Sequence, residues 1–364
     1  MKRSSTSISA NQISENIAEI KKIIPKNTFI MGVVKSDAYG HGIDLVLPTL
    51  IDLGIDYLAV ASLDEAIKIR SINQHIPLLI LSEFYKDNIE KIIQLKITQT
   101  IYSHSYAQEL NNIARKYNVK IPVHIKVDTG MNRVGINVNA VYSLIDFLKS
   151  LDHIEIEGIY SHLACANQVN HAQNDDQINS FTSLLDTLAS KNIHIKFKHL
   201  ANTAGMISYP SAHFNMVRVG WALFKNVITL KSYITFIKTV PTHQPISYDS
   251  LYITSKDSKI ATVCAGYADG VPRSLANIGY VIINDKQCPI VGTICMDMFM
   301  VDITSLNAPA QVGDPVHIIG YHETLDDEQV CSVDYISKLT GLNPREITCR
   351  VGIRSQRDRL TESV

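Results

Sequence analysis

The sequence predicts an α/β protein, an N-terminal (β/α)8 TIM-type barrel over residues 1–230 followed by a mainly β C-terminal domain over 231–364. Three observations carry this prediction. Short β-rich runs recur eight times before residue 224, and helical spacing fills most of the gaps between them. No G-x-G-x-x-G turn is present, whereas an open doubly wound sheet typically shows one after its first strand. After about residue 230 the pattern changes to short β-rich pieces separated by turns. At 364 residues the chain is long enough for two domains, each with its own core.

The elements follow in order. Ile13, Ile17, Ile20 and Ile24, spaced four, three and four apart, predict an opening helix that stops at Pro25. The eight strands are expected at 29–34, 57–60, 77–81, 98–102, 122–127, 154–160, 194–200 and 214–223. Apolar residues at three- and four-residue spacing place helices at 89–95, 106–117, 141–151 and 178–188, while the seventh gap, 203–210, is short. The second domain is expected to carry strands at 233–239, 251–254, 259–264, 280–283, 290–303 and 316–319. One helix, 333–339, interrupts them, capped by Ser332 and closed by Gly341.

Composition narrows the function classes. Lys+Arg at 34 against Asp+Glu at 35 leaves a formal charge of -1, so no whole-chain field draws nucleic acid or an anionic bilayer. Hydrophobic content of 46% with 19% charged residues describes a folded globular chain. No apolar run reaches the roughly 18 residues needed to span a bilayer, and the N-terminus lacks the apolar stretch of a secretory signal, so a cytoplasmic location is expected. Cys165, Cys264, Cys288, Cys295, Cys331 and Cys349 form no C-x-x-C pair; reduced thiols are expected, with no disulfide framework and no metal site.

In a barrel the βα loops converge at the C-terminal ends of the strands, and chemistry belongs there. The first strand runs into Lys35 and then Tyr39-Gly40-His41-Gly42, and the fifth into Lys126-Val127-Asp128-Thr129-Gly130-Met131-Asn132-Arg133. The sixth ends in Ser161-His162 and the seventh in Ala201-Asn202-Thr203, and the eighth carries Arg218. Each residue alone has two readings. Lys35 is either a reactive amine or a side chain leaning into solvent. Lys126 is either a site cation or the partner of Asp128, and His162 either a proton donor or a satisfied histidine. Arg218, between Val217 and Val219, is expected to be buried and therefore needs either a ligand or a structural ion pair.

Taken together, the segments resemble the alanine racemases, fold-type-III enzymes that use pyridoxal 5'-phosphate (PLP). V-V-K-S-D-A-Y-G-H-G, from Val33, is similar to the cofactor-lysine signature of that family. The likeness continues through K-V-D-T-G-M-N-R-V-G (from Lys126), S-H-L-A (from Ser161), R-V-G-W-A-L (from Arg218), G-Y-A-D-G (from Gly266) and I-C-M-D (from Ile294). It spans nearly the whole chain and implies the same two-domain fold.

The resemblance implies specific roles. Lys35 matches the lysine that forms the Schiff base with PLP and carries a proton. Tyr39, Thr203 and the backbone of Gly220 and Trp221 match the cofactor-phosphate contacts. Arg218 matches the arginine at the pyridine nitrogen, and His162 matches the residue that supports it. An arginine there can only donate, so the ring nitrogen stays unprotonated, the electron sink is weaker and side reactions such as transamination are limited. Fold-type-III decarboxylases place an acidic residue at this position, which sets them apart.

Racemisation needs a proton-transfer group on each face of a planar intermediate. Lys35 matches the base on the D side and Tyr267 the base on the L side, with Arg218 and His162 expected to favour the ionised tyrosine. Tyr267 enters the other subunit's site in this family, so a head-to-tail homodimer with composite sites is implied, acting on L- and D-alanine. Arg133 and the backbone at Met296 match the substrate-carboxylate contacts, and Lys126 a lysine that is often carbamylated. D-alanine would serve as a peptidoglycan precursor. One departure concerns the substrate entrance: Arg345-Glu346 stands where the family usually carries Tyr-Glu. Ser36-Asp37 replaces a commoner Ala-Asn, and Arg354-Ser355-Gln356-Arg357 the usual Arg-Val-Pro-Arg.

Overall fold

The computed structural model describes residues 3–81, 88–320, 331–352 and 354–360; Ile353, in the C-terminal tail, lies outside them. The chain forms two compact units, each discontinuous in sequence. One comprises Glu15–Ala38 and Leu47–Leu223; the other comprises Met1–Ser14, Tyr39–Val46 and Phe224–Val364.

The first unit is the parallel barrel. Its strands are Phe29–Val33, Tyr57–Val60, Leu78–Ile80, Thr98–Ile101, Ile121–Asp128, Ile154–Tyr160, Phe197–His199 and Met216–Val219, one for each β-rich run read from the sequence. Each pairs with the next in parallel, and Met216–Val219 pairs with Phe29–Ile30–Met31–Gly32 to close the ring. These strands are buried along nearly their whole length, because in a closed parallel sheet one face fills the barrel and the other is covered by helices. Helix Leu63–Ile72 opens with a capping box in which Ser62 and Glu65 satisfy each other's backbone N–H. Helix Ile43–Asp52 fills the gap between the first two strands and holds Pro48 within it.

The second unit is a β structure wound around one long strand. Ile228–Val240 pairs along one part with Pro315–Ile319 and along the rest with Ser258–Val263, with a register shift between Ile234 and Phe236, so the sheet returns on itself. The expected strand 290–303 is instead two strands, Lys286–Val291 and Phe299–Asp302, joined by a loop. Apolar character continues through Ile294 and Met296, which hid the break, but Gly292 turns left-handed at φ +76° and ends the ladder. A Cβ at Gly292 would sit 2.6 Å from the carbonyl oxygen of Ile246. The two ends of the chain add strands Ser5–Ser9 and Gln356–Leu360, which pair in parallel. Helix Val333–Thr340 forms as expected: the Ser332 side chain accepts from Tyr335 N–H, and Gly341 closes it at φ +73°.

Candidate active site

Lys35 follows the first barrel strand and begins a backbone turn of the wrong hand for L-residues. Ser36, Asp37, Ala38 and Tyr39 have φ between 53° and 56°. Each left-handed non-glycine residue costs roughly 1–2 kcal/mol, so such a run persists only where its surroundings hold it. Here Ala38 N–H donates to the Val34 carbonyl at 2.9 Å. The Glu65 carboxylate accepts Ser36 N–H at 2.6 Å, and Lys68 reaches Asp37 at 2.8 Å. Helix Leu63–Ile72 thus pins the loop that carries Lys35.

Arg218 sits buried on the eighth strand at the centre of a hydrogen-bond cluster. Its Nη1 donates to His199 Nδ1 (3.0 Å) and the His199 carbonyl (3.1 Å). Nη2 donates to the carbonyls of Ser161 (2.7 Å) and Leu200 (3.1 Å) and to His162 Nδ1 (3.0 Å). The guanidinium lies over the Tyr160 ring, 5.2 Å from its centroid, and Lys126 Nζ is 5.3 Å from the same centroid. Among the described residues no carboxylate pairs with Arg218, so the ion-pair reading of this arginine fails. Lys126 likewise donates to the Val127 carbonyl at 2.9 Å, while the Asp128 carboxylate is taken by the N–H groups of Gly130, Met131 and Asn132.

The electrostatics follow from this arrangement. Burial, then the charges of Arg218 and Arg133 against the pull of Asp128, bring the Lys126 amine down to about 7. Burial and Arg218 hold His162 and His199 well below the usual imidazole range, so both are neutral. Burial lowers Arg218 itself to about 10, still charged at neutral pH. Among the described residues, the groups in contact with Arg218 are neutral histidines, carbonyls and an aromatic ring, with no carboxylate among them.

PLP, implied by the resemblance, has a carbonyl, an aromatic nitrogen and a phosphate, and the residues fit that set. Of the five guanidinium N–H groups of Arg218, those on Nη1 and Nη2 are committed; only Nε–H has no hydrogen bond among the described residues. A donor that no described residue takes up suits an unprotonated ring nitrogen. Close by in sequence, Thr203 opens helix Thr203–Ser208, capped by Asn202 through Gly205 N–H, and its hydroxyl accepts Gly220 N–H at 3.2 Å. Trp221 begins the short turn Trp221–Phe224, and Arg133 is exposed.

The β unit carries the remaining residues singled out from the sequence. Tyr267 lies in the turn Tyr267–Asp269, between Gly266 and a left-handed Gly270. Tyr267 N–H donates to the Cys295 carbonyl (3.1 Å) and Ala268 N–H to that of Met296 (3.2 Å), so the turn and the Met296 loop are locked together. Gly266 is required there, because any side chain would run into the Cys295 and Met296 carbonyls. Beneath them the buried Asp269 carboxylate accepts Gly266 N–H at 2.8 Å and faces Ser4 at 3.3 Å, Arg3 at 3.5 Å and Arg354 at 3.8 Å. Arg354 also pairs with Asp297 at 2.8 Å, and Arg3 donates to the Asp297 carbonyl. The tyrosine ring and Met296 remain exposed, and the cation over that ring within this unit is Arg273, 5.9 Å away. Tyr39 is buried with its ring 5.9 Å from Phe224, and Gly40 (φ +85°) lets the backbone of helix Pro344–Arg350, which carries Arg345, come into contact.

Sequence reasoning missed His199, Tyr160, Glu65 and the Arg3–Asp269–Arg354 cluster. His199 was findable, since it ends the seventh strand on the same rim as His162. The arginines were not, because they come from opposite ends of the chain.

Comparison with known proteins agrees along the whole chain. Residues 8–226 match the family model for the alanine racemase N-terminal domain, and residues 227–359 that for the C-terminal domain. An alanine racemase of Halothermothrix orenii is 36% identical over 357 residues, covering 94% of this chain and 93% of that protein. The solved alanine racemase of Clostridium difficile 630 superposes with a TM-score of 0.91 at 33% identity, covering 98% of this chain and 95% of that one. An alanine racemase from Bartonella henselae, solved with covalently bound pyridoxal phosphate, superposes with a TM-score of 0.87 at 28% identity, covering 98% of this chain and 99% of that one. With its barrel, its second β unit and both family domains in order, the chain belongs to the alanine racemase family of PLP-dependent amino-acid racemases.

Proposed function

We propose that the chain interconverts L- and D-alanine by a two-base mechanism, with Lys35 and Tyr267 moving the Cα proton on opposite faces of the substrate. The observation that carries this reading is Arg218, a buried arginine that among the described residues has no carboxylate partner and one N–H left to give. PLP, when bound, supplies the electron-withdrawing ring that makes the substrate Cα–H acidic. Lys35 holds the cofactor and takes or returns the proton on the D side. Tyr267 does the same on the L side. Arg218 donates to the ring nitrogen and keeps it unprotonated, with His162 bracing the guanidinium. Tyr39, Thr203 and the backbone at Gly220 and Trp221 would hold the phosphate. Arg133 and the backbone at Met296 orient the substrate carboxylate. The Lys126 amine, brought to about 7, is nucleophilic at neutral pH, which favours carbamylation and an anionic partner for Arg133.

The site is completed by the β unit of a second copy in a head-to-tail homodimer. Supporting this, Phe236, Tyr248, Leu251, Ile253, Met296 and Met298 are exposed on that unit together with Tyr267. A groove of about 460 Å³ opens among Phe236, Tyr248, Cys295 and Met298. The enzyme works in the cytoplasm and supplies D-alanine as a peptidoglycan precursor; consistent with this, no described helix is long and apolar enough to cross a membrane.

Incubating the PLP-loaded protein with L-alanine in deuterium oxide tests the proposal. D-alanine deuterated at Cα is the expected product. Lys35→Ala abolishes it together with the cofactor's bound absorbance, whereas Tyr267→Phe slows abstraction from the L enantiomer by roughly 10²–10⁴-fold with cofactor retained. Exchange without inversion would remove Tyr267 from its role, and absence of exchange would defeat the substrate assignment.

A further inference from the structure

Below Arg218 the barrel interior holds a second row of polar groups that the reaction as described does not use. His199 Nε2 is 2.9 Å from His124 Nδ1, and His124 Nε2 is 3.5 Å from the Glu157 carboxylate. Both histidines are fully buried. Glu157 also accepts from the Tyr57 hydroxyl at 3.0 Å, which in turn touches Thr98 at 2.5 Å, and it lies 3.5 Å from the exposed Lys196. Tyr57 and Thr98 are the first residues of their strands, so the row runs from the chemical rim towards the opposite end of the barrel.

Two local features look built for it. The register between the fifth and sixth strands slips here: Val123 faces Ile156 and His124 faces Gly158, leaving Glu157 as the extra residue of a bulge that turns its side chain inward. Gly158 makes room for the imidazole, since a Cβ there would lie 2.5 Å from His124 Nδ1.

The row has one polarity. Arg218 can only donate, so His199 Nδ1 must accept, and the neutral His199 then carries its proton on Nε2. That N–H is donated to His124 Nδ1, which places the His124 proton on Nε2, facing Glu157. At 3.5 Å the carboxylate acts on this N–H mainly through its charge. The reverse polarity would set two donors against each other at Arg218 Nη1. Protonating His199 would likewise set two donors against each other at Arg218 Nη1, protonating His124 would do so between the histidines, and burial already lowers both imidazoles.

We infer that Glu157 is a positioning residue for the reaction: through the tautomers of His124 and His199 it fixes Arg218 as a donor pair on Nη1, leaving Nε–H aimed at the cofactor nitrogen. The part concerning the cofactor rests on the function proposed above; the tautomer order does not.

The test is two-bond ¹H–¹⁵N NMR of the histidine rings in the cofactor-free protein, joined to assays of the loaded enzyme. In the wild type, His199 and His124 should both be neutral Nε2–H tautomers between about pH 6 and 8. An Nδ1–H tautomer or a protonated ring at either position overturns the inference, and this measurement needs no variant. In Glu157→Leu the bias from the far end of the row is lost and Arg218 alone opposes the reversed order, so an Nδ1–H population of His199 should become detectable, and the ratio of transamination to racemisation should rise by up to about tenfold, the worth of one misdirected charged hydrogen bond. Glu157→Gln, which keeps an acceptor, should restore the tautomers and bring the ratio back to within about twofold. A folded Glu157→Leu protein with an unchanged His199 pattern contradicts the inference. Failure of the wild type to racemise alanine would instead defeat the proposed function while leaving the tautomers to stand.

Discussion

Around Asp269 each charge meets an opposite one: Arg3 and Arg354 converge on the buried carboxylate, and Arg354 reaches on to Asp297. Around Arg218 the nearest described charges, Lys126 and Arg133, carry the same sign as the guanidinium. Lys126 and Arg218 share the Tyr160 ring, His162 and His199 are held neutral beside them, and no described carboxylate answers the guanidinium. A balanced cluster needs nothing further, and its product is geometry: the Tyr267 turn and the Met296 loop held in one arrangement. An unbalanced cluster in low dielectric is costly unless a ligand completes it. The contrast separates scaffold from site without reference to any relative.

Breaking the contrast should have the largest effect. Arg218→Glu supplies the anion that the barrel cluster lacks; racemisation should fall by roughly 10³-fold, because a carboxylate keeps the ring nitrogen protonated. Arg218 is one cause of the depressed His162 and His199, so both should titrate at higher pH in this variant by NMR. Unmoved histidines would show that burial alone, and not the arginine, holds them neutral.

The next effect is on stability. His162, His199 and His124 all have folded-state values below the unfolded one, so the unfolded chain binds more protons as pH falls. Stability is therefore fully present above about 6.5 and drops below it, by up to about 1.4 kcal/mol per pH unit for each histidine. Urea unfolding at a series of pH values from about 8 down to 5 measures this slope, and a flat profile would contradict it. The smallest effect is expected at the balanced cluster. Asp269→Asn keeps the shape and loses the charge, while Arg3 and Arg354 are partly exposed to water. A loss of about 1–2 kcal/mol is expected, with cofactor absorbance retained and the L-to-D rate reduced less than about tenfold.

How much of this was legible in the sequence follows the same division. The barrel announces itself because each strand is a contiguous apolar run between helical spacings, and the rim residues lie at the strand ends where barrel geometry puts them. The 290–303 segment misled because composition stays apolar through a loop that one left-handed glycine breaks. The turn after Lys35 could not be foreseen, since Ser36, Asp37 and Ala38 are held left-handed by Glu65 and Lys68, some thirty residues on. Glu157 was hidden for a related reason: only the bulge in pairing with the fifth strand turns it inward. Arg3 and Arg354 meet because the strands at the two ends of the chain pair in parallel, which local periodicity does not encode.

The central claim is that Arg218 has a donor left for a neutral ring nitrogen. The most direct measurement is ¹⁵N NMR of the protein loaded with PLP labelled at the pyridine nitrogen. An unprotonated nitrogen that accepts a hydrogen bond, and loses it when arginine is replaced, is the predicted result; a protonated pyridinium in the wild-type protein would contradict the account.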